Sequence, residues 1–270
     1  MLGASRDSVA VLMRALAERE SAGLPGDLSE QLYSVADLLG RENQLRTSLA
    51  DSGLPEQSRQ SLVQSLLADR VSASTVDLVS LAVSQRWSTD MDLVVGLEAL
   101  AAQAAFARAQ AEGTLDATEE EIFRFGRAVD ASSDLQMALT DPALPASTKG
   151  AIVETLLEGR STDATRQVLG YAVGHLHGAR LDSVIDELSR AAAAQRERVV
   201  AEVKVAAPLE PGQHDRLVAA LSTMTGRQVR LNVAIDPSVL GGVYVAIGDD
   251  IIDGTVATRL TQARRAMLDS

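Results

Sequence analysis

Residues 228–268 read QVRLNVAIDPSVLGGVYVAIGDDIIDGTVATRLTQARRAML. Val229, Leu231, Val233 and Ile235 alternate with Arg230, Asn232 and Ala234, the period of a strand that buries one face. Asp236-Pro237 ends that strand. Leu240-Gly241-Gly242 permits a bend or a close backbone approach that side chains would block, and Val243 to Ile247 is rich enough in β-branched residues to be a second strand. Gly248-Asp249-Asp250 supplies a turn, and Ile251 to Asp253 a short third strand. Beyond Gly254 the apolar residues Val256, Leu260, Ala263 and Met267 recur at helical spacing among Arg259, Arg264 and Arg265.

Working back from there, Leu217, Val218, Leu221 and Met224 form the inward stripe of a helix over 212–225, closed by Gly226. Val199, Ala201, Val203 and Val205 alternate along a strand at 199–207, and Pro208 and Pro211 punctuate its exit. The last seventy residues are therefore expected to be a small β-α-β-β-β-α domain around one sheet.

The run IDPSVLGGVYVAIGDDIIDGTVATRL resembles the C-terminal signature of the delta subunit of F-type ATP synthases, the bacterial counterpart of the oligomycin-sensitivity-conferring protein. The resemblance is carried by an acid, an apolar pair, Gly-Gly, an alternating strand, Gly-Asp, Ile-Asp-Gly, a hydroxyl residue and Arg-Leu, which marks Gly241, Gly242, Gly248, Asp253, Gly254 and Arg259 as signature positions. Two positions depart from the family's habit: Ala246 stands where a basic residue is frequent, and Thr255 where Ser is common. The stretch GARLDSVIDELSRAAAAQRERVVAEVKVAAPL at 178–209 is similar to the family's long helix leading into a first strand, and before it the likeness is weak.

The resemblance implies a non-catalytic stator subunit of a proton-translocating ATP synthase, one copy per complex. Such a subunit binds no cofactor and lies peripherally on the cytoplasmic side of the cell membrane. Its helical part would bind the N-terminal segments of alpha subunits, and its C-terminal domain the b subunits of the peripheral stalk. The segment at 5–20, with Val9, Leu12, Met13 and Leu16 on one stripe, corresponds to a helix that helps to form the alpha groove; read by itself it is a core helix.

An internal repeat fills the rest of the chain. Leu45, Leu49, Asp51, Leu54, Pro55, Val63, Leu66, Leu67 and Arg70 recur ninety residues on as Leu135, Leu139, Asp141, Leu144, Pro145, Val153, Leu156, Leu157 and Arg160. Leu32-Tyr33 matches Ile122-Phe123 in character. LADSGLP at 49–55 and LTDPALP at 139–145 both close one helix and place Pro near the start of the next. Five helices per copy are expected, near 28–40, 43–51, 55–68, 73–86 and 89–112, with the second set displaced by ninety. The family's usual single bundle is thus duplicated, giving domains at 1–113, 114–198 and 199–270 in a mostly α, α+β fold.

The second copy has no separate helix in front of it, only the linker at 113–116. Its exposed apolar face needs cover, and the C-terminal half of the long helix, through Ala102, Ala105, Phe106 and Ala109, is expected to supply it.

Composition narrows the function classes. The chain has 270 residues, 46% apolar and 23% charged, which is globular, and no cysteine, which excludes disulfides, thiolate metal sites and cysteine nucleophiles. No apolar run approaches the length that crosses a bilayer, and the first residues lack a basic start followed by an apolar core, so a soluble cytoplasmic protein is expected. Of the net charge of −12, nearly all falls in residues 1–199, where eighteen Lys and Arg face twenty-nine Asp and Glu. That sign repels phosphate backbones and anionic headgroups and favours a basic or apolar protein partner.

No pattern points to catalysis. His175 and His177, two apart on an expected helix, would point to different faces and lack a third ligand; His214, beside Asp215, reads as a surface residue. Asp249, Asp250 and Asp253 fit turn chemistry and lack the spacing of a calcium loop. Gly241-Gly242 precedes a strand, whereas a phosphate loop leads into a helix. Trp87 is expected to fill a corner of the first bundle. Two other classes fit parts of the sequence: a generic helical-repeat adaptor, and a metal-dependent enzyme using the three aspartates.

Overall fold

The computed structural model describes residues 3–20, 23–196, 199–225, 229–236, 239, 241–247 and 250–253. It divides into two compact units, Met1–Arg196 and Glu197–Ser270. The first unit contains eleven helices among the described residues, and the second a four-stranded sheet with one helix.

Helix α1 (Ala4–Glu20) buries Leu12, Ala15 and Leu16 and is followed by α2 (Leu28–Arg41), α3 (Asn43–Ala50), α4 (Glu56–Leu67), α5 (Ala73–Ser84) and the long α6 (Asp90–Ala111). The second copy comprises α7 (Leu115–Ala131), α8 (Ser133–Thr140), α9 (Ala146–Leu157), α10 (Asp163–Ala172) and α11 (Leu181–Arg196). The expected boundaries agree closely; α10 stops at Ala172, four residues short of its expected end, and α11 at Arg196, before the strand that begins at Val199.

The ninety-residue displacement extends to single hydrogen bonds. In the first copy the Ser72 N–H and the Thr75 hydroxyl both donate to Gln31 Oε1, at 2.8 and 2.6 Å. In the second, the Thr162 N–H and the Thr165 hydroxyl donate to Glu121 Oε2, at 2.9 and 2.5 Å. Each cluster satisfies the free N–H groups at a helix start while tying that helix to the one three elements earlier. The turns repeat as well: Gly53 N–H donates to Asp51 Oδ1 and Ala143 N–H to Asp141 Oδ1, both at 2.8 Å.

Helix α6 is apolar all round, and Leu93, Val94, Leu97, Leu100, Ala101, Ala104 and Phe106 are buried on its several faces. It packs on α1, α2, α3 and α5 of the first copy and on α7, α10 and α11 of the second. Ala102, Ala105 and Phe106 stand ninety residues after Leu12, Ala15 and Leu16, and all six are buried. Just as α1 packs on α5 and α6, α6 packs on α10 and α11. One helix thus ends the first bundle and begins the second, and a single hydrophobic core runs through both copies. Alanine along α6 lets neighbouring axes approach closely, and the buried amides of Gln103 and Gln195 pair between α6 and α11.

Two polar ties fix the first copy around α6. Ser5 Oγ donates to Asp92 Oδ2 at 2.7 Å and accepts from the Ser88 N–H at 2.8 Å, anchoring the start of α1. The buried Arg46 guanidinium donates to Asp90 Oδ2 at 2.9 Å and to the carbonyls of Leu39 and Gly40, and it holds the Asp90 carboxyl below the usual carboxylate range. Trp87 fills the corner between α5 and α6: its indole N–H donates to Ala82 O at 2.8 Å and its ring lies over Gly96, where a Cβ would come within 2.5 Å.

The second unit orders its strands β2-β1-β3-β4: β1 (Val199–Val205) pairs parallel with β2 (Val229–Ile235) and antiparallel with β3 (Val243–Ile247), which pairs antiparallel with β4 (Asp250–Asp253). Helix α12 (Pro211–Thr225) makes the crossover between the parallel strands. Ala201, Val203, Val205, Leu221, Val229, Leu231 and Val245 form the core of this unit. Two expected inward residues face outward: Met224, 68% exposed in the last turn of α12 beyond the core that ends at Leu221, and Ile235, 57% exposed as the last residue of an edge strand. Gly226 and the helix expected beyond Gly254 lie outside the described residues.

Truncating the shared helix should be costly: Phe106→Ala is expected to lower unfolding stability by about 3–5 kcal/mol in chemical denaturation, the range for a fully buried aromatic. A loss below about 1 kcal/mol would show that burial of Phe106 does not hold the core together. Gly241 and Gly242 enter β3 with φ of +111° and +86°, a backbone region that β-branched residues avoid. Gly242→Val should therefore destabilise the second unit by roughly 1–3 kcal/mol, and a variant melting with the parent protein would contradict this strain.

Candidate functional site

Between the two copies lies an open cleft of about 760 Å³, formed by α2 and α6 on one side and by α9, α10 and the segment after α10 on the other. Its aromatic wall is built from both copies. Tyr33 of α2 stacks on Tyr171 of α10 with ring centroids 4.1 Å apart, and Tyr171 stacks on His175 at 3.9 Å. Met91 and Val94 of α6 continue the apolar surface.

Glu98 of α6 is the polar centre of the cleft. The Tyr171 hydroxyl donates to Glu98 Oε1 at 3.1 Å, and His177 Nε2 lies 2.8 Å from the same oxygen. Asp37 of α2 pairs with Arg41 on its own helix and with His175 Nε2 at 3.3 Å. Two carboxylates of the first copy thus hold two imidazoles of the second. The hydrogen bond with Glu98 raises the pKa of His177 above its ordinary value, with burial opposing and the charge of Glu98 assisting. Burial, followed by the nearby Glu98 charge, pushes both the Tyr33 and Tyr171 hydroxyls up, so they remain neutral.

The structure corrects the expectation that His175 and His177 point to different faces of a helix. Helix α10 ends at Ala172, Gly174 passes so near Ala146 that a Cβ would lie 2.8 Å from the Ala146 Cβ, and His177 takes a positive φ of 48° followed by Gly178 at 79°. This bend turns both rings into the cleft. Neither Tyr33, Tyr171 nor Glu98 stands out in the sequence as a site residue; the legible signal is where the repeat changes character. Tyr33 is buried, whereas its counterpart Phe123 is 60% exposed.

A second groove, on the first copy, is the counterpart of this cleft. Its α4 and α5 lining includes Glu56, Gln57, Gln60, Asp77, Ser80 and Leu81, with Arg19 of α1 at its edge. Ninety residues later stand Ala146, Ser147, Gly150, Gln167, Gly170 and Tyr171, all of which line the cleft. The two grooves occupy the same place in their bundles but differ in chemistry, amide and hydroxyl in the first, aromatic and glycine in the second.

Of the signature positions, Gly241 and Gly242 form the positive-φ entry to β3, and Asp253 is the last residue of β4, in register with Tyr244. Gly248, Gly254 and Arg259 lie outside the described residues, as does Asp249 of the aspartate group; Asp250 and Asp253 are the two ends of β4. Among the described residues, no group of His, Asp and Glu has the arrangement of a metal site, and no helix is long and apolar enough to cross a membrane.

Comparison with known proteins places these features in context. The family described as "ATP synthase delta (OSCP) subunit" matches residues 101–267, a span that begins inside α6 and takes in its C-terminal half, the second copy and the second unit. A protein named "ATP synthase subunit delta" from Parafrankia sp. (strain EAN1pec) is 43% identical over 98% of this chain and 91% of its own length. Proteins of the same name from Streptomyces griseus (strain JCM 4626) and Frankia casuarinae (strain DSM 45818) are 42% and 41% identical, over 99% of this chain in both cases and over 99% and 100% of their own lengths. In these relatives the match includes the first copy.

The His177–Glu98 pair sets a pH dependence with a definite sign. Because the native pKa of His177 is raised, its contribution to stability is fully present below the unfolded value of about 6.5 and is lost as pH rises through the native value. Unfolding free energy measured in urea should therefore fall as pH is raised above about 6.5, and His177→Gln should flatten that slope. An unchanged slope in the variant would mean the pair carries no linkage.

Proposed function

This chain belongs to the ATP synthase delta (OSCP) subunit family, and from that premise we propose that it joins the catalytic head to the peripheral stalk through two separate surfaces, one on each unit. It is a non-catalytic stator subunit of an F-type ATP synthase. The helical unit binds N-terminal segments of alpha subunits, the second unit binds the b subunits, and the protein sits peripherally on the cytoplasmic side of the membrane. The observation that carries this reading is the identity of about 40% with delta subunits over nearly the whole of both chains.

The physical features agree with the role. A rotor turning inside the head drags on it, so the head needs a static connection that resists torque without taking part in phosphoryl transfer. Eleven helices around one continuous core provide stiffness, because close-packed interiors are poorly compressible. The acidic excess of residues 1–199 suits a partner segment with basic side chains laid into a groove as a helix. The duplication further suggests that each copy of the bundle, 1–113 and 114–198, acts as a domain of its own around the shared helix, with 199–270 as the stalk-facing domain.

Removing this protein should detach the head from the membrane sector and abolish proton-coupled ATP synthesis, while the released head continues to hydrolyse ATP in solution. Membranes depleted of the protein and then reconstituted with it provide the measurement. Coupled synthesis that persists without it, or ATP hydrolysis by the isolated chain, would refute the reading.

A further inference from the structure

We propose that residues 173–180, which connect α10 to α11, are a proton-operated strap: while His175 and His177 are charged it is fastened across the cleft to α2 and α6, and when they lose their protons it comes free. The device belongs to the helical unit itself and does not depend on which partners that unit binds.

The first copy supplies the comparison. Its connector, 85–89, corresponds to 175–179 and is held by groups that keep one charge state around neutral pH. Ser8 Oγ donates to Arg86 O at 2.6 Å, the Ser88 N–H donates to Ser5 Oγ at 2.8 Å, and the Trp87 indole N–H donates to Ala82 O. In the second copy His177 stands where Trp87 does, and Glu98 where Ser8 does. The helix position that touches the connector is the same in both copies, but a hydroxyl on a carbonyl has become a carboxylate on an imidazole.

His175 shows why the proton matters. Its Nδ1 lies 2.9 Å from Tyr171 O and its Nε2 3.3 Å from Asp37 Oδ1. A carbonyl and a carboxylate only accept, so both contacts are hydrogen bonds only when both ring nitrogens carry protons, which is the charged ring. A neutral ring gives up one of the two. Keeping the bond to Tyr171 O, as Gln85 keeps its bond from Nε2 to Leu81 O in the first copy, leaves Asp37 facing a bare nitrogen. A neutral His177 still donates from Nε2 to Glu98 Oε1, but without the charge that roughly doubles the strength of such a bond.

The surrounding charges set the balance. Asp37 of α2 is shared with Arg41, and the two imidazole rings, 6.3 Å apart, repel when both are charged. Tyr33 of α2 and Tyr171 of α10 stay neutral, and Arg180 within the strap pairs with Asp182. At His177 the hydrogen bond with Glu98 of α6 outweighs burial and the opposing charge of Arg46 of α3, so this ring keeps its proton to a higher pH than a free imidazole. Fastening is therefore complete below about pH 6.5 and is lost as pH rises through the raised native value.

The backbone allows the release. His177 has a φ of +48°, which a non-glycine residue keeps only while its contacts hold it, and Gly178 follows at +79° with open space where a Cβ would lie. Val173 is buried and Gly174 lies against Ala146, so the end of the strap next to α10 stays fixed.

The chain has no cysteine, so a single substitution places one nitroxide in the full-length protein. A label at Ala179→Cys, exposed in the strap, should be ordered at about pH 5.5 and tumble roughly twofold or more faster at about pH 8.5. A label at Arg86→Cys, exposed in the first connector, should give the same spectrum at both. Replacing both imidazoles, His175→Gln with His177→Gln, should remove the pH response at residue 179, with circular dichroism showing that the helices remain. Should that variant unfold, Asp37→Asn with Glu98→Gln removes the charges from the other side of the cleft and should also abolish the response. A label at residue 179 that is indifferent to pH, a response that survives these substitutions, or an equal response at residue 86 overturns the strap.

Discussion

The helical unit depends on one helix that belongs to two bundles. A helix that closes a single bundle needs one apolar stripe, and its outer face can be polar. Helix α6 has no such outer face, because it packs on α2 of the first copy and also takes, around α10 and α11, the place that α1 holds around α5 and α6. The match of Leu12, Ala15 and Leu16 with Ala102, Ala105 and Phe106 gives this sharing a residue-level register. Two copies joined by a flexible linker would each bury their own core; joined through α6, they bury a common one.

The cleft and its chemistry follow from that arrangement. A continuous α6 carries Glu98 from the core of the first copy to the edge of the second, within reach of Tyr171 and His177. It also sets α2 opposite α9 and α10, so that Tyr33 finds an aromatic partner. Phe123 occupies the same position on α7, but among the described residues no third copy follows to cover it, and it stays exposed.

For a stator, the advantage of this construction is mechanical. The two copies are joined through a helix that packs on both, and close-packed elements are poorly compressible. The polar contacts of Arg46 with Asp90 and of Ser5 with Asp92 pin α3 and α1 to the first turn of that same helix, so the first copy cannot rotate about it freely. The family match that begins at residue 101 falls within α6 and takes in its second half, the second copy and the second unit.

The sequence by itself determined the elements. Pro55 and Pro145 mark helix starts, the ninety-residue period sets the extents of α2 to α9, and alternation at Val199 to Val205 and Val229 to Val233 yields strands, because these signals are local and act through propensity and period. It also showed that the second copy lacked a covering helix and that α6 could supply one. Tertiary structure alone decided what met across the copies. Tyr33 and Tyr171 are 138 positions apart, and nothing in either neighbourhood encodes the stack they form. The positions of His175 and His177 turned on where α10 stops, which depends on the close approach of Gly174 to Ala146, a contact between two elements rather than a property of either. Periodicity tells which face of a helix is buried, but which partner covers that face is set by packing over the whole unit.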